Sequence, residues 1–375
     1  MKPIKVLHIV QVETANYYLN NLSDYSDRNE VKFSAVTFAP RAGFVEGMEQ
    51  RGVSVYALDA LARSQYPRAF REIWKICKKE NPDIVHTHVF DSTVIGLTIG
   101  KLQRRKAIVT RHYSDALYQL QGFLKRKFYF GLENYISYNA DLLIAPSKMV
   151  RDILVEWEKV PSEKVVTIPY GQTWERFSEI TPEIVEKKRD QLGMNGVYSL
   201  VCVSRLFHRK GQNILFRAIA PLVKKGLKIK LFLVGAGEYQ TYLEELADKL
   251  EIRKVIHFLG WRDDALEIVA SADVLVHPSL EDALSSALIE ALMLGKPIVA
   301  SDISGVRDTL GDGKYGTIVP PSDSETFGQA LEEILNDLEN ARKRAEGGRN
   351  HLLEYMSAEK VAKEYLECYR KVLQK

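Results

Sequence analysis

The sequence predicts an α/β protein made of two parallel-sheet halves. Three observations lead there. Short apolar, β-branched runs alternate with amphipathic stretches along the whole chain, and buried strands spaced by helices form parallel sheets with right-handed crossovers. The alternation breaks at a polar stretch, Ser178–Gly196, and then restarts. The length, 375 residues, is more than one hydrophobic core usually covers.

In the first half, strands are expected at Ile4–Val10, Lys32–Phe38, Val53–Leu58, Asp83–Thr87, Ala107–Thr110, Leu142–Ala145 and Lys164–Ile168. Helical patterns separate most of them, as at Arg68–Lys79 and Ser147–Glu158. The second series is expected at Leu200–Val203, Ile229–Val234, Val255–Leu259, Val274–His277, Pro297–Ala300 and Thr317–Val319. The boundary is placed within residues 172–182, giving domains 1–175 and 176–356, two Rossmann-like halves of similar size. In the final stretch, Ser357–Leu373, apolar Val361, Tyr365, Tyr369 and Val372 recur at helical spacing. That segment, 357–375, is expected to be a packed closing helix or a bridge back to the first domain. There is no solenoid repeat and no low-complexity segment.

Composition removes several classes of function. Net charge is +3, which does not point to a nucleic-acid binder. Cys77, Cys202 and Cys368 are odd in number and widely spaced, which makes neither a disulfide framework nor a metal-ligand pattern and fits a reducing compartment. The apolar run before Gln11 is too short for a signal sequence. No run approaches the roughly 18 apolar residues of a membrane span. The expectation is a cytoplasmic protein, with contact at the cytoplasmic face of a membrane left open.

Ligands of open α/β sheets sit beyond the carboxyl ends of the strands, and four successive strand ends in the second half carry polar or glycine features. Arg205 and Lys210 lie in SRLFHRKG after one strand. Fixed cations there suit a diphosphate; the alternative is a solvated basic loop with His208 and Arg209. Gly235 and Gly237 follow the next strand in LVGAGE, which lacks the third glycine of GxGxxG and so disfavours a dinucleotide dehydrogenase. Close backbone approach to a ligand is the use foreseen for them. Leu259, Gly260 and Trp261 end HFLGW. Asp282 follows in EDALSSALIEALMLGK, with Ser285, Ser286 and Ala287 at the start of a helix, where unpaired N–H groups attract anions. Asp282 faces a sugar or caps that helix. Glu290, about two turns in and flanked by apolar residues, suits a ribose diol and needs a partner if buried.

Candidates in the first half are sparser. His112 follows the strand AIVT in TRHYSD and either bonds a sugar hydroxyl or is structural. His86 and His88 alternate on one strand and point the same way, with no third ligand at a metal-like spacing. No Asp-x-Asp pair occurs, and no metal is expected. Phe123–Tyr138, FLKRKFYFGLENYISY, places Lys125, Arg126 and Lys127 among aromatics. This is an interfacial helix on anionic lipid or a partly buried helix with snorkelling cations.

These stretches resemble retaining glycosyltransferases of family 4, with the GT-B fold of two Rossmann-like domains facing across a cleft. The resemblance covers nearly the whole chain and is strongest over Ser204–Val319. It implies that Arg205 and Lys210 bind the donor diphosphate and that Gly235, Gly237, Leu259 and Gly260 lie beside the nucleotide. It further implies that Ser286 and Ala287 offer amides to the phosphates, and that Glu290 holds the ribose. His112 would lie near the transferred sugar. IPYG resembles the family's IPNG hinge. The first acid of the family's E-x7-E pattern is Asp282 here, with Glu281 out of register by one. The Gly-Gly loop of many members is replaced by Gln11, Val12, Glu13 and Thr14. Gln11, Thr14 and Asn16 would be the acceptor side. The implied co-substrate is a nucleotide sugar, a UDP-sugar favoured, with a glycan, lipid-linked or small-molecule acceptor and no cofactor. A nucleotide-sugar epimerase on the same fold and a non-catalytic sugar-nucleotide-binding subunit are the other readings.

Overall fold

Seven parallel strands form the first sheet in the computed structural model: β1 (Ile4–Val10), β2 (Val31–Thr37), β3 (Ser54–Ala57), β4 (Ile84–His88), β5 (Lys106–Thr110), β6 (Leu142–Ala145) and β7 (Val165–Thr167). Six more form the second: β8 (Tyr198–Val203), β9 (Ile229–Val234), β10 (Ile256–Gly260), β11 (Val274–His277), β12 (Ile298–Ser301) and β13 (Thr317–Val319). The structure describes residues 2–14, 16–112, 122–282 and 284–374, without the side chain of Tyr17. The residues Tyr113–Asp115 of TRHYSD, and Ala283, lie outside this description.

The strands read as apolar runs because helices cover both faces of each sheet. All seven residues of β1 are apolar except Lys5 and His8, and the strand is buried from Val6 onward. The order is β3-β2-β1-β4-β5-β6-β7 in one sheet and β10-β9-β8-β11-β12-β13 in the other. Each therefore reverses direction once, between β1 and β4 and between β8 and β11. Those reversals are the topological switch points at which open α/β sheets bind ligands.

The chain forms two compact units, Met1–Thr173 with Tyr355–Lys375, and Trp174–Glu354. The last helix, Ala358–Gln374, belongs to the first unit. Its Val361, Tyr365, Tyr369 and Val372 share a core with Val6, Ile108 and Ile144 of the sheet. The spacing of these residues places them on one face, and burying that apolar stripe is what holds the helix there. Gly171 admits it closely, since a Cβ at that position would stand 3.0 Å from the Ala358 Cα. The second unit's core gathers Leu200, Leu231, Leu233, Val274 and Val276 under the helices Gln212–Lys224 and Ser324–Asn336.

Strand and helix ends differ from expectation by a residue or two. β2 begins at Val31 and ends at Thr37, because Phe38 has left the ladder while staying buried. The helix expected over Ser147–Glu158 runs Lys148–Asp152 and then widens into a π-helical turn, Ile153–Trp157.

Candidate functional site

Two loops meet at the switch point of the second unit. β8 and β11 are neighbours, so the segments after them leave the sheet side by side. The Leu280 amide donates to the Arg209 carbonyl at 2.9 Å, and Lys210 Nζ lies 2.9 Å from Asp282 Oδ2 and 3.4 Å from the Glu281 carbonyl. Gly211, at φ +67°, makes this approach sterically accessible: a Cβ there would stand 1.9 Å from the Pro278 carbonyl oxygen. No side chain fits that gap, and the left-handed backbone disfavours one independently.

Arg205 is exposed, with its guanidinium 5.8 Å from the Phe207 ring centroid. Its loop is anchored from beneath by fully buried Gln212, whose Nε2 donates to the Arg205 carbonyl and to Ser204 Oγ, both at 2.9 Å. Asp282 lies outside the N-cap position of the following helix. That helix is Ser286–Met293, and Ser285 holds the N-cap position without a side-chain bond. Asp282 turns to Lys210 instead, and His277 Nε2 lies 3.9 Å away. Burial pushes the His277 pKa down to about 4, so this ring is neutral near pH 7 and Lys210 is the charge that meets the carboxylate. Glu281 sits 3.9 Å from Arg209.

Glu290 is the fifth residue of the helix, little more than one turn in, because the helix starts at Ser286. Its carboxylate meets Arg176 at 3.1 Å. Burial raises its pKa and the Arg176 guanidinium opposes that shift. The partner that a buried glutamate requires therefore comes from the segment Glu175–Ser178 at the start of the same unit.

Gly235 and Gly237 make room for protein backbone. A Cβ on Gly235 would lie 2.1 Å from the Ser204 carbonyl oxygen, and one on Gly237 would lie 2.2 Å from that of Leu206. Both glycines let the loop after β9 pack on the loop after β8, so they shape the Arg205 loop through its own backbone. Gly260 has φ +67° and open space where a Cβ would sit, and its carbonyl accepts from the Gly235 amide at 2.7 Å. Leu259 precedes it at the end of β10.

In the first unit, the carboxyl ends of β4 and β5 carry the histidines. His8 on β1 stands in register with His86 on β4, and supplies the third imidazole that spacing along the chain did not reveal. Ligating nitrogens of His8, His86 and His88 lie within 4.8 Å of one another, close enough for a metal ion. Both nitrogens of His86 and of His88, and Nδ1 of His8, are committed to hydrogen bonds, however. His86 meets Thr110 Oγ1 at 2.8 Å and the Tyr369 hydroxyl at 3.2 Å, while His88 meets His8 and His112, each at 3.0 Å. A cation would have to displace these partners. Burial lowers the pKa of all four rings, to about 3 for His8 and about 4 for His112. The second nitrogen of His112 meets the Tyr170 hydroxyl at 2.7 Å.

Of the residues expected on an acceptor side, Asn16 caps the helix Tyr17–Tyr25, its Oδ1 accepting from the Leu19 amide at 3.1 Å. Gln11 is half-buried and Thr14 is exposed. The basic aromatic segment is a helix, Phe123–Asn139, anchored through buried Glu133 and Ile136. Its first turns are not buried: Phe123, Leu124 and Phe128 are 61%, 81% and 64% exposed, beside exposed Lys125, Arg126 and Lys127. No helix among the described residues is long and apolar enough to cross a membrane.

Comparison with known proteins assigns both halves. Residues 15–172 match the family described as Glycosyltransferase Family 4, and residues 185–351 match Glycosyl transferases group 1. A D-inositol 3-phosphate glycosyltransferase of Corynebacterium urealyticum is 28% identical over 303 residues, covering 77% of this chain and 71% of that protein. An alpha-monoglucosyldiacylglycerol synthase of Streptococcus pneumoniae is 30% identical over 282 residues, covering 72% and 62%. Among solved structures, Anabaena Alr3699/HepE in complex with UDP-glucose superposes with a TM-score of 0.82 at 21% identity, over 98% of this chain and 100% of that one. With two Rossmann-like sheets and family matches over both, this chain belongs to the family 4, group 1 glycosyltransferases of the GT-B fold.

Proposed function

We propose that this enzyme transfers a sugar from a nucleoside-diphosphate donor, a UDP-sugar, to an acceptor hydroxyl with retention of anomeric configuration. The observation that carries the reading is the meeting of the Arg205–Gly211 loop with Lys210-bound Asp282 at the β8/β11 switch point. As the bond from the anomeric carbon to the phosphate oxygen breaks, negative charge grows on the diphosphate. In this reading Arg205, Lys210 and the amides at the start of Ser286–Met293 receive it. The bond to the acceptor oxygen forms on the same face, and the acceptor proton passes to the departing phosphate. Glu290 accepts from the ribose diol while Arg176 steadies it. In this reading cationic side chains and a helix end do the work of a divalent metal, and no cofactor takes part. The existence of a solved GT-B neighbour with UDP-glucose supports the choice of base.

The acceptor is a glycan, glycolipid or small-molecule hydroxyl, used in glycan or cell-surface polysaccharide synthesis. The alpha-monoglucosyldiacylglycerol synthase among the relatives favours a lipid-linked one. The exposed face of Phe123–Asn139, apolar and basic together, would rest on an anionic bilayer at the cytoplasmic side. The test is thermal stabilisation by UDP-, GDP-, ADP- and dTDP-sugars with and without EDTA, followed by transfer assays of Arg205→Ala and Lys210→Ala. An EDTA-resistant shift with one base, and a loss of about 100-fold or more in kcat for either variant, is expected. Unchanged rates in both variants would sink the assignment.

A further inference from the structure

The polar layer of the first unit contains an unbroken hydrogen-bonded row. His8 Nδ1 lies 3.0 Å from His88 Nε2, His88 Nδ1 lies 3.0 Å from His112 Nε2, and His112 Nδ1 lies 2.7 Å from the Tyr170 hydroxyl. The row runs from the interior of β1, through the last residue of β4, to the segments beyond β5 and β7. Its inner end is His8 Nε2, which is buried and has no hydrogen-bond partner among the described residues. His86 supports the row from the side. Its ring stacks on His88 with centroids 4.3 Å apart, and Thr110 and Tyr369 hold its two nitrogens.

A row of neutral imidazoles obeys a counting rule. Each ring carries one proton, so it donates from one nitrogen and accepts at the other. If His88 donates from Nδ1 to His112, it accepts at Nε2, and His8 must donate from its own Nδ1. His112, accepting at Nε2, then carries its proton on Nδ1 and donates it to the Tyr170 oxygen. The alternative puts every proton on Nε2. The inner end decides between the two. Nε2 protonation would bury an N–H donor on His8 with no acceptor, whereas Nδ1 protonation leaves only an unused lone pair. A buried orphan donor is the rarer of the two in native proteins.

We propose that His8, His88 and Tyr170 are positioning residues for His112: the row is a proton-ordered chain, each ring protonated on Nδ1, that fixes the His112 imidazole in one orientation beyond the carboxyl end of β5. The effect on catalysis rests on the sugar-transfer reading, in which His112 lies against the transferred sugar. The proton order itself does not. Both ring nitrogens of His112 are engaged inside the unit, so a sugar hydroxyl would meet a ring whose place is already set, and preorganisation of this kind favours the reactive geometry.

The experiment uses the full chain labelled with ¹⁵N-histidine. Two-bond proton–nitrogen correlations distinguish the tautomers, and single substitutions assign the rings. His8, His88 and His112 are expected to share the Nδ1–H pattern. His88→Phe keeps an aromatic ring against His86 but removes both bonds of the row. It should shift the His112 correlation toward a mixture of tautomers and lower kcat about 10-fold, with donor KM little changed. Tyr170→Phe should move the same His112 signal from the other end. Opposed tautomers among the three wild-type rings would overturn the proposal, and so would a His112 pattern and kcat unchanged in both variants. The wild-type spectrum needs no substitution, so a variant that fails to fold does not block the test. If the wild-type protein turns over no nucleotide sugar, the transfer reading fails while the spectrum still decides the row.

Discussion

Acidification should destabilise the first unit by charging its buried histidines. The perturbation is a fall from pH 7 to pH 5, and the sign follows from linkage. A base whose folded pKa lies below its unfolded value stabilises the fold fully above the unfolded pKa, near 6.5, and loses that stability as pH falls toward the folded pKa. For His8, with a folded value of about 3, the loss between pH 7 and pH 5 is about 2 kcal/mol. For His112, at about 4, it is nearly the same. His86 and His88, both held well below the usual range by burial, act in the same direction. Glu364 on the terminal helix opposes them, since burial raises its pKa. Once one ring is charged, protonating a neighbour 4.3 to 5.3 Å away becomes harder, so the rings charge by unfolding rather than one at a time. A loss of about 4 kcal/mol from His8 and His112 alone is a large share of a typical stability of about 5–15 kcal/mol. The assay is urea unfolding at pH 7, 6 and 5, with hydrogen-exchange mass spectrometry following peptides that contain β1 and β4, because two units need not unfold together. An unfolding free energy for those peptides that does not change from pH 7 to pH 5 would refute the reasoning.

Two further outcomes follow from the geometry. Gly211→Ala should destabilise the second unit by about 3 kcal/mol, from left-handed backbone and overpacking against Pro278, as read by thermal unfolding; a change within about 0.5 kcal/mol would remove the steric argument. Replacing Leu124 and Phe128 by Ser should weaken sedimentation with vesicles containing anionic lipid while leaving transfer to a water-soluble acceptor unaltered; equal sedimentation of both proteins would remove this helix from membrane contact.

Much of the framework is legible in local pattern. Ile4–Val10, Leu142–Ala145, Ile229–Val234, Val274–His277 and Thr317–Val319 are strands over the very residues that apolar, β-branched runs delimit. Ends are less legible, as at Phe38, because a residue can leave the ladder without leaving the core. The two loop motifs of the second unit are visible as cations after one strand and acids after another. Their roles are less so. Asp282 reads equally well as a helix cap, and only the loop fold turns it toward Lys210. Gly235 and Gly237 read as making room for a ligand, and what local pattern does not show is that they also make room for the carbonyls of Ser204 and Leu206.

By itself, then, the sequence determined the strands, the two series of them, the apolar stripe of the last helix and the family to which the motifs belong. These depend on periodicity and on residues close together in the chain. The tertiary structure decided which strand lies beside which. That order brings Lys210 to Asp282 and His8 to His88, pairs separated by 72 and 80 residues. It also carries Arg176 to Glu290, across 114 residues. No local pattern encodes such neighbours, because parallel strand order is set by how whole crossovers pack, and a histidine in an apolar strand acquires its partner only when the adjacent strand is chosen.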